Sequence, residues 1–296
     1  MKLGFIGVGN MGGPMCRNLI KHDHQVYVHD LNPKAKEAIL ADGGTGAASI
    51  REVTAESEVV FTSLPGPVEI REAVLGKDGI VDGAHKETIY VDLSTNAPSV
   101  ARELAAELAK KGIPMLDAPV SGGTDGAKAG TVAVMVGGEK DIFDKVKPLF
   151  QCIGANIFHV GDHGAGCTVK LINNMLSFIN LYAAGEGFLM GIKAGVDPEL
   201  LLAVIKTSSG QSSSLGKIER AVLAGDYSPT FALDLAHKDL RLALQLGEEM
   251  GTPLSMGSLL INHFRQSVAK GHGTQDVAAM LRVMEENMGT EIRFQK

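Results

Sequence analysis

The sequence predicts an α/β N-terminal domain followed by an all-α C-terminal domain. Three observations point there. Short apolar runs alternate with helical patterns through the first half, a glycine-rich turn joins the first such run to the first helical pattern, and beyond about residue 164 no strand pattern competes. Strands alternating with helices imply βαβ units and a mainly parallel sheet. A length of 296 residues suits about two domains. The boundary is placed near residue 162, giving domains 1–162 and 163–296.

In chain order, strands are expected at 3–7, 25–29, 59–63, 88–92, 115–119, 132–137 and 156–159. Helices are expected between them at 11–21, 33–42, 67–75 and 99–111. Asp82-Gly83 precedes the fourth strand and Gly112-Ile113-Pro114 the fifth, both ordinary breakers. The second half reads as one long helix over 165–194, then helices at 198–207, 214–224, 232–250, 253–270 and 275–288. Val169, Ile172, Leu176, Ile179 and Ala183 recur at helical spacing along the long one. The long helix is expected to join the domains, with a ligand cleft between them.

Composition excludes several classes. The formal charge is −6 with no basic surplus, so a nucleic-acid partner is poorly supported. No tryptophan and 5% aromatics argue against a stacking platform. Cys16, Cys152 and Cys167 fit neither a disulfide framework nor a CxxC motif, and read as reduced thiols of a cytoplasmic protein. The apolar run 3–6 is too short for a signal peptide, and no run of about 18 apolar residues predicts a membrane span. The nine histidines form no HExxH or paired His–carboxylate pattern, so no metal site is expected.

The glycine-rich turn is Gly7-Val8-Gly9-Asn10-Met11-Gly12, a GxGxxG motif between a strand and a helix. That context makes it a dinucleotide fingerprint: Gly7 for the tight turn, Gly9 for the approach of a pyrophosphate, Gly12 for helix–strand packing. The helix N-terminus around Asn10 and Met11 offers N–H groups to phosphates. Asp30 ends the second strand, where a carboxylate takes hydrogen bonds from an adenosine ribose. Leu31 follows it rather than arginine, which favours NAD, while Lys34 and Lys36 nearby leave NADP possible. The domain is therefore expected to be of the Rossmann type.

From Phe5 to Met15 the chain closely resembles the opening signature of the β-hydroxyacid dehydrogenases. The resemblance continues, in order and spacing, through Asp117-Ala118-Pro119-Val120-Ser121-Gly122-Gly123, Lys170-Leu171-Ile172-Asn173-Asn174 and His237-Lys238-Asp239-Leu240. It covers essentially the whole chain. It implies hydride transfer between NAD(H) and a small carboxylate-bearing primary alcohol or its semialdehyde. Candidate substrates are 2-hydroxy-3-oxopropionate (tartronate semialdehyde), 3-hydroxyisobutyrate, 4-hydroxybutyrate and 2-(hydroxymethyl)glutarate.

Such chemistry needs a proton donor and acceptor at the reacting oxygen. Spacing alone leaves Lys170 readable as a surface lysine; the resemblance makes it the catalytic one. Asn174 lies at i+4, on the same helix face, suited to hold the substrate hydroxyl. Asn173 points elsewhere and reads as structural. A free lysine, with a pKa of about 10.4, is a poor base, so burial is expected to lower that of Lys170. Ser121, Gly122 and Gly123 follow a strand end, where backbone N–H groups can cradle an anion; the resemblance places the substrate carboxylate there. It also places Leu64, Pro65 and Thr95, at strand carboxyl ends, and Lys238 against the cofactor, with Asp239 as a structural partner of Lys238. The segment 207–212, Thr-Ser-Ser-Gly-Gln-Ser, is expected to be a polar loop that can reach the substrate tail.

Family resemblance further implies a homodimer or homotetramer assembled through the helical domain. Other readings are a sulfolactaldehyde reductase, an imine reductase of the same architecture, against which Lys170 counts, and a non-catalytic NAD-sensing module. Retention of Ser121, Lys170 and Asn174 together counts against the last.

Overall fold

The structure is a computed structural model, and it describes residues 1–294. The chain folds into two compact units, 1–170 and 171–296, so the division falls inside the long helix. The first unit holds strands β1 (Lys2–Ile6), β2 (Gln25–His29), β3 (Thr45–Gly46), β4 (Val59–Thr62), β5 (Ile89–Asp92), β6 (Met115–Asp117), β7 (Val120–Ser121), β8 (Val132–Gly138) and β9 (Gly154–Gly161). Its helices are α1 (Gly12–Lys21), α2 (Pro33–Ala41), α3 (Ile50–Ala55), α4 (Pro67–Leu75), α5 (Ile80–Gly83), α6 (Pro98–Ala109), α7 (Gly123–Ala129) and α8 (Lys140–Ile153). The helix α9 (Ala165–Lys193) begins in this unit and continues into the second.

The sheet order is β3-β2-β1-β4-β5-β6-β8-β7, with β9 on β8. From β3 to β6 all pairs are parallel. The chain winds outward from β1 to β3 and returns to place β4 on the other side of β1. The loops after β1 and β4 therefore lie at the topological switch point, where doubly wound sheets bind ligands. Every residue of β4 is buried, as a central parallel strand requires. The core gathers Leu3, Phe5, Val28, Phe61, Val91 and Leu116 with Met15 and Leu19 of α1 and Phe150 of α8.

Several helices start where the sequence says they should. Asn32 accepts from the Lys34 N–H, with Pro33 at the first turn of α2. Ser49 accepts from the Glu52 N–H while Glu52 reaches back to Ala48 N–H, a capping-box arrangement at α3. Four helices not expected from periodicity are α3, α5, α7 and α8. The last carries Pro148 in its interior, a breaker by its residue type. The far side of the sheet is also less parallel than the alternation implied: β8 runs antiparallel to β6 and β7.

The second unit continues with α10 (Pro198–Lys206), α11 (Leu215–Lys217), a π-helical turn over Ile218–Leu223, α12 (Leu233–Glu249), α13 (Ser255–Ala269), a 3₁₀ turn over Val277–Met280 and α14 (Leu281–Met288). Its core gathers Phe178, Leu181 and Phe188 of α9 with Leu240, Phe264 and Leu281. The stripe singled out on α9 by sequence spacing is not the one the unit buries. Ile172 and Leu176 are about half exposed, whereas Leu171, Asn174, Phe178, Leu181 and Phe188 are buried. The helix is apolar on more than one face, so spacing found an apolar stripe without singling out the packed one. By length and composition α9 is apolar enough to cross a membrane, yet its buried face belongs to this core.

Candidate functional site

The glycine motif is built as its chemistry requires. Gly7 has φ +84°, and its N–H donates to His29 O at 3.0 Å. A Cβ there would stand 2.4 Å from Ser63 O, so β1 and β4 leave no room for one. A Cβ at Gly12 would stand 1.9 Å from Gly7 O. Gly9 is different: a Cβ there meets no atom of the chain within 4 Å. The missing Cβ at Gly9 thus relieves no contact within the chain, and the space beside it is open to an external group. Asn10 is exposed, and Met11, half-buried, precedes α1 without any side-chain cap or first-turn acid. These residues fit a dinucleotide pyrophosphate at the α1 N-terminus.

Asp30, at the end of β2, faces the same loop. Its Oδ2 accepts from Val8 N–H and its Oδ1 from Asn32 N–H, both at 2.7 Å. The carboxylate thus pins the glycine loop. Leu31 beside it is 93% exposed. Lys36 is turned away, its ammonium on Ala47 O at 2.6 Å.

At the ends of β4 and β5 the structure adds a layer that sequence reasoning missed. Leu64 N–H donates to Ser94 Oγ at 2.9 Å, joining the loop of Leu64 and Pro65 to that of Thr95. Beneath both sits Asp92, fully buried. It accepts from Ser94 N–H at 3.0 Å, Thr62 Oγ1 at 2.9 Å and Asn96 Nδ2 at 3.4 Å. Burial pushes its carboxyl up to about 6, against the pull of those bonds. The parallel register sets Asp92 opposite Asp117 at the end of β6. Asp117 is equally buried and accepts from Gly164 N–H at 2.7 Å and Cys167 N–H at 2.9 Å. Burial raises its carboxyl too, and raises the Cys167 thiol well above the ordinary range. A strand-ending aspartate looks alike in sequence whether solvated or buried. The only signal was that both stand directly before loops already singled out.

Ser121 ends the two-residue strand β7, opposite Ala133. Gly122 and Gly123 follow at φ +145° and +64°, and both are exposed. A Cβ at Gly123 would meet nothing, so this loop too offers open backbone. The helix it opens, α7, is tied to α1 by Asn18 Nδ2 on Ala127 O at 2.8 Å.

Lys170 is buried, at 9% exposure, and Asn174 follows one turn later on α9. In the second unit Asn174 Nδ2 donates to Asp239 Oδ2 at 2.7 Å, and Asn173 Nδ2 donates to Asn174 Oδ1 at 3.1 Å. Lys238 Nζ pairs with Asp239 Oδ1 at 2.8 Å. The buried Asp239 carboxylate thus brings Asn174 and Lys238 together, which the sequence did not indicate. The segment 207–212 follows α10, with residues 207–211 exposed. The Thr207 and Ser208 hydroxyls bond back to carbonyls in the last turns of α10, Ala203 and Val204, and so finish that helix.

Residues 2–161 match the family described as the NAD binding domain of 6-phosphogluconate dehydrogenase. Residues 164–284 match the NAD-binding family of NADP-dependent 3-hydroxyisobutyrate dehydrogenase. The chain is 40% identical to a 2-(hydroxymethyl)glutarate dehydrogenase of Eubacterium barkeri over 99% of its length and 97% of the relative's. It is 40% identical to a 3-hydroxyisobutyrate dehydrogenase of Pseudomonas aeruginosa over 88% and 90%. Among solved structures, a Mycobacterium tuberculosis 3-hydroxyisobutyrate dehydrogenase with L-serine superposes with a TM-score of 0.87 at 31% identity, covering 96% and 98%.

Proposed function

The chain belongs to the β-hydroxyacid dehydrogenase family of NAD(P)-dependent oxidoreductases, and from that premise we propose that it interconverts a small carboxylate-bearing primary alcohol and its semialdehyde. The substrate class we favour is that of 2-(hydroxymethyl)glutarate and 3-hydroxyisobutyrate, which relatives at 40% identity are named for. The observation that carries this reading is a buried lysine one helical turn before an asparagine whose amide is locked on a carboxylate. Burying a lysine is costly, and an amide fixed by Asp239 is pre-oriented.

The roles follow from the chemistry of the groups. NAD(H), held in the first unit by Gly7, Gly9, Asn10, Met11, Gly12, Asp30, Leu64, Pro65 and Thr95, supplies or accepts the hydride. Lys170 gives a proton to the oxygen as the carbonyl is reduced and takes it back in the oxidising direction. Asn174 has two amide N–H donors and gives one to Asp239; the other is for the substrate oxygen. Ser121, Gly122 and Gly123 receive the substrate carboxylate on hydroxyl and backbone N–H groups.

NAD is the preferred cofactor in this reading. A 2′-phosphate would meet the Asp30 carboxylate, and the Lys36 ammonium is engaged on Ala47. A homodimer or homotetramer is proposed on the strength of large apolar side chains left half or more exposed on the second unit's helices, including Leu176, Met190, Leu200 and Met256. The cytoplasm is proposed on the strength of three buried, unpaired cysteines.

The test is oxidation of NADH and NADPH against a panel of acid semialdehydes, and their reduced forms with NAD⁺ and NADP⁺, with Lys170→Ala as control. Turnover of one panel member, with NAD(H) preferred and activity reduced roughly 10²- to 10⁴-fold in the variant, is expected. A loss below tenfold removes Lys170 from the chemistry. Preference for NADPH overturns the reading of Asp30. NADH binding with no turnover on any member favours an imine substrate or a sensing module.

A further inference from the structure

We propose that Asp117 is a positioning residue: its buried carboxylate seats the first turn of α9 and so fixes where Lys170 stands. The proposal rests on the proton-transfer role given to Lys170 above. Everything that builds the seat lies within residues 1–170.

The N–H groups of a helix's first turn have no partner within the helix. In α9, Cys167 N–H is one of them, and Gly164 N–H lies just outside. Both are taken by Asp117, one on each oxygen, at 2.9 and 2.7 Å. An ordinary N-cap side chain precedes its own helix by a residue or two. This one is 50 residues away from Cys167, at the end of a core strand, and has 0% exposure. It therefore ties the helix start to the sheet rather than to a local turn.

The seat is shaped to leave no slack. A Cβ at Gly166 would stand 2.3 Å from Met135 O and 2.5 Å from Asp117 O, so the helix lies directly on two strand backbones. A Cβ at Gly137 would stand 2.6 Å from Asp117 Oδ1 and 2.9 Å from Gly166 N. Gly164 turns at φ +87° to bring its N–H to the carboxylate. Lys170 stands one turn beyond Cys167. Ser121 follows Asp117 by four residues, so the strand end that seats α9 leads on into the Ser121 loop. Burial raises the carboxyl, and the two N–H bonds pull it back toward the ionised form that can accept both.

Asp117→Asn keeps the shape but turns one acceptor into an N–H donor facing an N–H. The test measures the kinetics of NAD⁺-dependent alcohol oxidation by the full chain, on whichever of 3-hydroxyisobutyrate and 2-(hydroxymethyl)glutarate the wild type oxidises. Misplacing a catalytic group by about 1 Å costs on the order of 10²-fold. The expected result for D117N is a kcat lower by roughly 10- to 100-fold with KM for NAD⁺ within about twofold. In a Lys170→Ala background D117N should cost nothing further, because the group it positions is gone. A kcat within twofold of wild type, alongside a K170A that is nearly inactive, overturns the proposal while leaving the role of Lys170 intact. So does an undiminished D117N loss in the K170A background, which marks a general structural defect. A K170A enzyme above a tenth of wild-type activity instead fails the reading on which the proposal rests. If D117N does not fold, hydrogen exchange on the wild type decides. Gly164 and Cys167 amides as slow as the sheet core support the seat, and exchange at the rate of a frayed first turn overturns it.

Discussion

Asp92 in the first unit and Asp276 in the second are the same residue type at the same burial, both with no exposed surface. Their carboxyls are shifted in opposite directions from the ordinary value. Around Asp92 every donor is neutral: Ser94, Thr62 and Asn96. Burial wins there, and the carboxyl rises to about 6. Burial pushes Asp276 upward as well, but Lys217 Nζ at 3.1 Å and bonds from Thr230 and Ala278 outweigh it and hold the group below the ordinary carboxylate range. Arg220 adds a second cation at 3.2 Å. Burial alone does not decide which way a carboxyl shifts; charged donors can reverse its effect. The first unit uses buried carboxylates to pin loops, and the second uses one as the electrostatic hub of a helical core.

That contrast can be broken by removing the hub. Asp276→Ala leaves Lys217, itself largely buried, facing Arg220 with no counter-charge, and should cost about 3–5 kcal/mol. The denaturant midpoint measures it, and a cost below 1 kcal/mol would show that water replaces the carboxylate freely. The pH dependence sharpens it next. The folded-state value for Asp92 lies above its unfolded one. Its stabilising contribution is therefore complete below about pH 4 and lost as pH rises to about 6, a change on the order of 2–3 kcal/mol. Asp276, shifted the other way, contributes above the unfolded carboxylate value and loses that contribution as pH falls. Stability measured from pH 4 to 7 should lose the Asp92 slope in Asp92→Asn; equal slopes in both proteins would contradict the assignment.

Partners without burial should matter less. Ser49→Ala deletes the neutral cap of α3 and should cost about 1 kcal/mol, read from thermal unfolding. At the bottom of the scale, Lys140 and Asp144 pair at 2.5 Å on α8 with both side chains more than half exposed. Lys140→Ala should change stability by no more than about 0.5 kcal/mol. A larger loss there would mean that charge pairing, not burial, sets the scale.

How much of this was legible in the sequence varies with how local the cause is. The glycine motif was, because a missing Cβ at residue 7 or 12 answers a clash within a few residues or at the neighbouring strand end. The helices of the second unit were read to within a few residues, since their apolar spacing is regular over long spans. The strands β3 and β7, two residues each, carry no pattern at all. The helix α7 was hidden by glycines at 123 and 126, and α8 by Pro148. Within the site, Lys170, Asn174 and the Ser121 loop were singled out by the family resemblance rather than by residue type or spacing. Residue types did not announce Asp92 or Asp117, whose partners are up to 50 residues away. The link from Asp239 to Asn174 spans 65 residues and was equally hidden. Side chains that position others are defined by three-dimensional neighbours, and a single sequence does not display those.

Position 9 has a consequence for how this protein can vary. Positions 7 and 12 are policed by folding itself, since a side chain there collides with backbone. At position 9 a Cβ meets no atom of the chain within 4 Å. A screen for soluble, well-folded variants should admit alanine there. Only a selection that demands the cofactor would remove it. The glycine at 9 is thus invisible to stability and visible only to use, and its alanine variant offers a folded, cofactor-blind form of the protein as a control for every experiment above.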